Sequence, residues 1–204
     1  MNSQVPADRH EFDEQREAEE FLIQHLSARY PQSEWERVSF TEEVPLIEKI
    51  RVRAEKPQGE AASALVRRFR YVIRNEDLQL FDAVMDALVI AVSVGVFVVP
   101  GVNVLASWGA ITAIVTKLLK VGRKAATKGV VLEKQHFAVL TTLHDAGESS
   151  FDELLERLRQ QETDWSSERL QAALSLLQKA PSLDNSEVKL VISLPDQRWR
   201  TSGI

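Results

Sequence analysis

The stretch ALVIAVSVGVFVVPGVNVLASWGAITAIVT, residues 87–116, contains no charged side chain, although 27% of the 204-residue chain is charged. As one straight helix it would extend roughly 45 Å, which exceeds the ~30 Å hydrocarbon layer of a bilayer. Pro100 and Gly101 lie near its middle, and a Pro-Gly pair breaks a helix. The pattern therefore predicts a hairpin of two helices, 82–99 and 102–120, that turns at Pro100 and Gly101.

Small residues recur along both arms at a spacing that lets two helices approach closely. The expected packing positions are Ala83, Ala87, Ala91 and Gly95 in the first arm, then Ala106 and Ala110 in the second. Acids and lysines stand at the open end of the hairpin, where we expect ion pairs of Asp82 or Asp86 with Lys117 or Lys120. The Val-rich part of the first arm also suits a buried strand, but the length of the run favours helix.

The surroundings of the hairpin favour a membrane. Neither arm shows the polar stripe of a helix on the surface of a globular protein. Basic residues flank both outer ends, which is typical of a membrane hairpin whose ends face the cytoplasm. The sequence therefore predicts a transmembrane hairpin in contact with lipid over residues 82–120, with the N- and C-terminal parts cytoplasmic. The alternative is a cytoplasmic protein in which the hairpin is a core or a dimer interface.

Charge divides the chain into three parts. Residues 1–60 carry 8 Lys and Arg against 14 Asp and Glu, residues 61–132 carry 9 against 4, and residues 133–204 carry 8 against 12. We expect an acidic N-terminal part, 1–60, with a helix over 11–29 and one or two short strands within 35–55. A basic part, 61–131, follows with an amphipathic helix over 62–81 and then the hairpin. The last part, 132–204, reads as a separate domain.

The last part has the clearest pattern. A helix over 132–147 ends at Gly147, and a second over 149–161 opens with the capping box of Ser150 and Glu153. A third helix, 164–181, ends at Pro181 and is followed by two strands, 187–193 and 197–202. Three helices followed by a β-hairpin resemble the winged helix-turn-helix family over roughly the last third of the chain.

The resemblance implies that the helix over 165–180 enters the major groove of DNA and that the wing, 192–200, contacts the DNA backbone or minor groove. The corresponding contact residues are Ser166, Ser167, Arg169 and Gln171 on the helix, and Arg198 and Arg200 on the wing. DNA affinity depends on neutralised phosphates, yet this part of the chain has a net charge of −4. We therefore expect it to dock a protein partner rather than DNA.

The sequence carries no recognisable catalytic pattern. It has no cysteine, no HExxH pair, no Gly-rich phosphate loop and no GxSxG elbow. His136 and His144 are too far apart on one helix to share a metal ion. We therefore predict a protein that is not an enzyme and that needs no cofactor or metal.

Together these features predict a mainly α fold, in which a transmembrane helical hairpin precedes a C-terminal winged helix. The expected function is that of a membrane-associated adaptor or regulator, with the small-residue positions supporting self-association into a homo-oligomer. One alternative is a soluble DNA-binding winged-helix regulator. Another is a pore-forming effector that releases its hairpin into a bilayer on a trigger.

Overall fold

The computed structural model describes residues 8–29, 46–52, 68–93 and 108–203. The fold is mixed α/β, with 56% helix and two small antiparallel sheets in the described residues, so the expected mainly α class is wrong. The chain divides into two compact units, Met1–Leu78 and Gln79–Ile204. The boundary predicted at residue 60 lies outside the described residues.

The N-terminal unit contains strand β1 (Arg9–Phe12), helix α1 (Gln15–Arg29), β2 (Glu48–Val52) and β3 (Arg68–Arg74). The strands form an antiparallel sheet in the order β1-β3-β2. Helix α1 packs on β1 and β3 through a stripe at i, i+4 and i+8, which buries Ala18, Leu22 and Leu26. The helix predicted over 62–81 is wrong from residue 68 to 74, because RFRYVIR alternates with the period of a strand and pairs on both edges.

Helices α2 (Asn75–Ser93) and α3 (Trp108–Ala126) contain the ends of the uncharged stretch. Helix α2 buries Phe81, Val84, Met85 and Leu88, which fall at i, i+3, i+4 and i+7. Helix α3 buries Val115, Leu118 and Leu119, at i, i+3 and i+4, and also Ala125. The two helices meet at Gly122, where an added Cβ atom would lie 2.5 Å from Cδ1 of Leu80. These apolar side chains of the two helices therefore pack inside the protein, whereas Val89 of α2 is 38% exposed.

Among the residues that the structure describes, no helix is both long and apolar enough to cross a bilayer. The predicted transmembrane hairpin and membrane localisation are therefore wrong, and the lipid contact inferred from them loses its basis. Both helices begin or end outside the predicted arms, so that each includes a charged segment, from Glu76 to Asp86 in α2 and from Lys117 to Lys124 in α3. The predicted turn at Pro100 and Gly101 and the packing positions Gly95 and Ala106 lie outside the described residues.

The C-terminal unit continues with α4 (Lys134–Ala146), β4 (Glu148–Ser150), α5 (Phe151–Gln161), α6 (Ser167–Leu177), β5 (Val191–Ser193) and β6 (Arg198–Thr201). Its sheet has the order β4-β6-β5, so the central strand is the last in the chain. The predicted capping box is confirmed: Ser150 Oγ accepts the Glu153 N–H at 3.3 Å, and Glu153 Oε2 accepts the Ser150 N–H at 2.9 Å. Strand β4 was not predicted, because three residues before a helix show no alternation.

Helix α3 is joined to this part of the unit through Lys124. Its ammonium group donates to the carbonyl oxygens of Ser182 and Leu183, at 2.7 and 2.8 Å. These carbonyls lie between α6 and β5, in a segment closed by the bond from Leu190 N to Ala180 O at 2.8 Å. A partly buried charged hydrogen bond therefore fixes the end of α3 against the connection that leads to the last two strands.

Candidate interaction surface

The predicted resemblance to winged-helix proteins assigned contact residues to the third helix and to the wing. The third helix corresponds to α6, whose exposed face is described first. Ser166 caps the helix, and its Oγ accepts the Arg169 N–H at 3.1 Å. The helix buries Leu170, Ala173, Leu174 and Leu177. Ser167, Glu168, Gln171 and Ala172 remain exposed on the opposite side. This exposed face carries hydrogen-bonding groups and one acid, but no basic side chain.

Arg169 lies at the edge of this face and is held by its own domain. Its Nη1 lies 2.6 Å from Asp164 Oδ2, and its Nε donates to Gln135 Oε1 at 3.1 Å. Its guanidinium lies 4.4 Å from the ring centroid of Trp165, and the side chain is 27% exposed. An acid, an amide and an aromatic ring therefore bind the one arginine of α6.

The wing arginines also face carboxylates. On β6, Arg198 Nη2 lies 3.9 Å from Glu153 Oε2 and donates to the Glu148 carbonyl at 3.3 Å. Arg200 lies opposite Glu148 in the sheet, with Nη1 3.7 Å from its carboxylate. The pairs are long and exposed, so each is weak. Even so, every arginine that the resemblance assigned to DNA has a carboxylate within 4.0 Å.

The wing itself is short. Leu194 N donates to Arg198 O at 2.7 Å, and Gln197, at φ 63°, occupies the left-handed region that the turn requires. Trp199 lies opposite Ser149 and Ser193 on the other face of β6 and is half-buried. The wing therefore projects little beyond its sheet, and its two arginines share the outer face.

The structure describes only some of the residues predicted for the hairpin. Ala87 is buried and Ala83 half-buried, while the side chains of Ala91 and Ala110 lie outside the described set. Asp82 is 9% exposed and Asp86 is half-buried, whereas both lysines of α3 are exposed: Lys117 and Lys120. The ion pairs at the hairpin mouth and the homo-oligomer stay predictions.

His136 is a buried ionisable group whose environment the sequence did not predict. It is 4% exposed, and its Nδ1 accepts the backbone N–H of Glu133 at 2.9 Å, which completes the capping box of α4. Burial lowers the pKa of His136 below its usual value, against the raising effect of the Glu133 carboxylate. A capping box usually has Glu or Gln three residues after the N-cap. Because α4 has His136 at that position, the sequence does not reveal its capping box.

The partners of Arg169 were also missed. Gln135 is 34 residues away in the sequence and meets Arg169 only because α4 and α6 pack together. Trp165, which is 2% exposed, supplies the ring beneath the guanidinium. No local spacing marks such a contact, so a sequence pattern assigns Arg169 to the surface although the fold holds it in place.

The described residues include one small cleft and no cluster of metal ligands. They contain no group of three His, Cys, Asp or Glu side chains arranged to hold a metal ion. A cleft of about 60 Å³ lies between α3 and α4, lined by apolar side chains and by Lys117, Thr141 and His144. Pockets for small molecules usually measure ~300–1,000 Å³. This cleft has room for a water or a methyl group rather than for a substrate.

No protein-family model, no curated protein and no solved structure matches the chain. The winged helix therefore stays a prediction, made from the order of the helices and strands. A functional argument has to come from the contacts of individual side chains.

Proposed function

We propose that the chain is a non-enzymatic adaptor or regulator, and that residues 132–203 are a winged helix that docks a protein partner through the exposed face of α6. The order of the elements supports this proposal: three helices, a short strand between the first two, and a terminal hairpin whose last strand is central in the sheet. Helix α4 packs against the buried side of α6, so α6 presents its opposite side to a partner.

The observation that carries the proposal is the state of the three arginines. Arg169, Arg198 and Arg200 each have a carboxylate of the same unit within 4.0 Å. A phosphate that displaced one of these carboxylates from its arginine would leave that carboxylate without a counter-ion. The carboxylate would then lie close to the negatively charged phosphate and repel it. Affinity for DNA comes largely from lysines and arginines that neutralise phosphates. The paired arginines therefore favour a protein as the ligand of this surface.

The side chains of α6 suit such a ligand. The cores of protein interfaces contain few charged residues. The exposed face of α6 matches this composition, because Gln171 and Ala172 are exposed and uncharged and Leu176 is half-buried beside them. Glu168 accepts hydrogen bonds at the N-terminus of the helix, which lower the pKa of its carboxyl and keep it ionised. A protein can accept this single acid at the rim, whereas a DNA groove would be repelled by it.

Photo-crosslinking tests the proposal. A benzophenone amino acid replaces Ala172 on α6 in the full chain, and the matched control carries it at Ala126, which is exposed at the end of α3. After irradiation in the source cells, we expect a discrete polypeptide adduct from position 172 and none from position 126. Adducts with nucleic acid from position 172 would contradict the proposal.

A duplex titration is the second arm of this test. If the wing bound DNA, the double variant Arg198→Ala with Arg200→Ala would reduce the salt slope of duplex binding by up to about two units. We expect the slope to remain unchanged, because the proposal places no phosphate at either arginine, and Glu153 and Glu148 beside them leave this surface without an excess of positive charge. A reduction of that size, measured by fluorescence anisotropy, would favour DNA as the ligand.

A further inference from the structure

The sheet of the N-terminal unit has two faces with different electrostatics. On one face, Arg70 Nη1 lies 2.5 Å from Glu11 Oε2, and Arg74 Nη2 lies 3.0 Å from Glu48 Oε2. These pairs cover Val72, which is buried between them in the register. The arginines of this face whose side chains the structure describes, Arg9, Arg70 and Arg74, are therefore paired with carboxylates within the unit.

The opposite face, which we call the aromatic–basic face, consists of Phe69 and Tyr71 on β3 with Lys49 and Arg51 on β2. The register places Arg51 opposite Phe69 and Lys49 opposite Tyr71, so each cation adjoins a ring. The Lys49 ammonium lies 4.4 Å from the ring centroid of Phe69 and 5.8 Å from that of Tyr71. Both rings are half-buried, and both basic residues are exposed.

Helix α1 occupies the other half of the same face. Phe21 of α1 packs against His10 and Phe12 of β1, with ring centroids 4.4 and 5.4 Å apart. Ile73 is fully buried, whereas Phe69 and Tyr71 toward the start of β3 are only half covered. The aromatic–basic face is therefore the part of the sheet that extends beyond α1.

The cations of this face differ from the arginines described above. Within residues 8–29, 46–52 and 68–78, no carboxylate pairs with Lys49 or Arg51, whereas Arg9, Arg70 and Arg74 all have one. Strands β2 and β3 together carry five Lys and Arg residues against one Glu. The net charge of the chain, −5, therefore conceals a local basic surface.

We propose that the aromatic–basic face binds single-stranded nucleic acid, with bases stacked on Phe69 and Tyr71 and phosphates bound by Lys49 and Arg51. Residues two apart on a strand are separated by about 6.6 Å, so the two rings receive two neighbouring bases that are splayed apart. A duplex cannot bind this way, because its bases are already stacked inside the helix. A flexible Lys49 side chain leaves the Phe69 ring for a phosphate when a base arrives.

The rings decide between nucleic acid and an acidic polypeptide as the ligand. An acidic peptide would neutralise Lys49 and Arg51, but its carboxylates would not stack on the rings of Phe69 and Tyr71. Every base has a π-face, and base–aromatic stacking adds affinity without selecting a sequence. The pairing of a cation on β2 with a ring on β3 at two successive positions of this face therefore fits nucleic acid better. The inference does not depend on the winged helix, because its residues all belong to the unit Met1–Leu78.

The test is fluorescence anisotropy of the full chain with a labelled oligothymidylate or oligouridylate of roughly a dozen nucleotides, titrated at several salt concentrations. Two phosphate contacts predict a slope of log affinity against log salt of about −1.4. Lys49→Gln and Arg51→Gln should each reduce the slope by about 0.7. The matched control is Arg74→Gln, which removes the same charge from the opposite face and should change nothing.

Variants of one ring separate stacking from charge. Phe69→Leu keeps an apolar side chain but removes the π-face, so it should weaken binding by roughly 5- to 100-fold at every salt concentration without altering the slope. Phe69→Tyr retains a ring and should bind like the wild type, which distinguishes lost stacking from lost folding.

Three results would overturn the proposal. The first is no binding of either oligonucleotide at low salt. The second is an equal effect of Arg74→Gln and Lys49→Gln, which would indicate general attraction by charge. The third is Phe69→Leu with wild-type affinity together with equal competition by polyglutamate, which would make the face a site for acidic polypeptide.

Discussion

The packing of α2 on α3 makes a quantitative prediction at Gly122. A Cβ atom added there would lie 2.5 Å from Cδ1, 3.0 Å from Cδ2 and 3.2 Å from Cγ of Leu80. Carbon atoms in contact prefer about 3.5–4.0 Å, so the end of the Leu80 side chain must move by about 1 Å. Gly122→Ala therefore forces Leu80 out of its position without touching the backbone of α2.

Two opposing free energies determine the effect on stability. Alanine in a helix interior is favoured over glycine by about 1 kcal/mol. Overpacking of a well-packed site costs about 1–3 kcal/mol. We therefore expect Gly122→Ala to lower the free energy of unfolding by up to about 2 kcal/mol. In the background Leu80→Ala the obstructing methyl groups are absent, so the same change should raise the free energy of unfolding by about 1 kcal/mol.

The assay is urea unfolding of the wild type, both single variants and the double variant. The coupling free energy between positions 80 and 122 should be about 1–3 kcal/mol, well above the ~0.5 kcal/mol within which independent sites add. Additive effects, with Gly122→Ala stabilising in both backgrounds, would show that α2 and α3 do not pack at this point. The account of the apolar helices as buried would then lose its main support.

Two other groups give predictions for stability. Stability from neutral His136 is present above its unfolded pKa of about 6.5 and is lost as pH falls toward its lower folded pKa. His136→Gln preserves an acceptor for the Glu133 N–H and should flatten this dependence in urea unfolding between roughly pH 7 and 5, whereas an unchanged dependence would assign it to other groups. Lys124→Met removes the charged bonds to Ser182 and Leu183 and should cost about 2–3 kcal/mol, against less than ~0.5 kcal/mol for the exposed control Lys128→Met. Equal costs for the two lysine variants would show that those bonds contribute no stability.

Local patterns predicted the C-terminal elements well, because their signals lie within a few residues. The capping box at Ser150 and the stripe of Leu154, Leu155 and Leu158 identify α5 without tertiary information. The uncharged stretch misled because Ala87, Leu88 and Val115 at its described ends are buried within the protein, and a sequence does not show what covers an apolar face. The strand β3 was missed for a related reason, since its arginines suggested a basic helix until their pairing with Glu11 and Glu48 placed them on one face of a sheet.

The candidate sites show that pairing matters more than the number of basic residues. The predicted resemblance assigns Arg169, Arg198 and Arg200 to DNA contacts, yet each faces a carboxylate of its own unit. Lys49 and Arg51 lie in the part of the chain with the most acids, yet among the described residues each lies beside an aromatic ring and is paired with no carboxylate. Counting charges by segment therefore assigns nucleic acid to neither unit, whereas these contacts are the basis on which we propose nucleic acid as the ligand of the N-terminal sheet and a protein as the ligand of α6. The two proposed surfaces differ in chemistry, which is consistent with the adaptor that we propose.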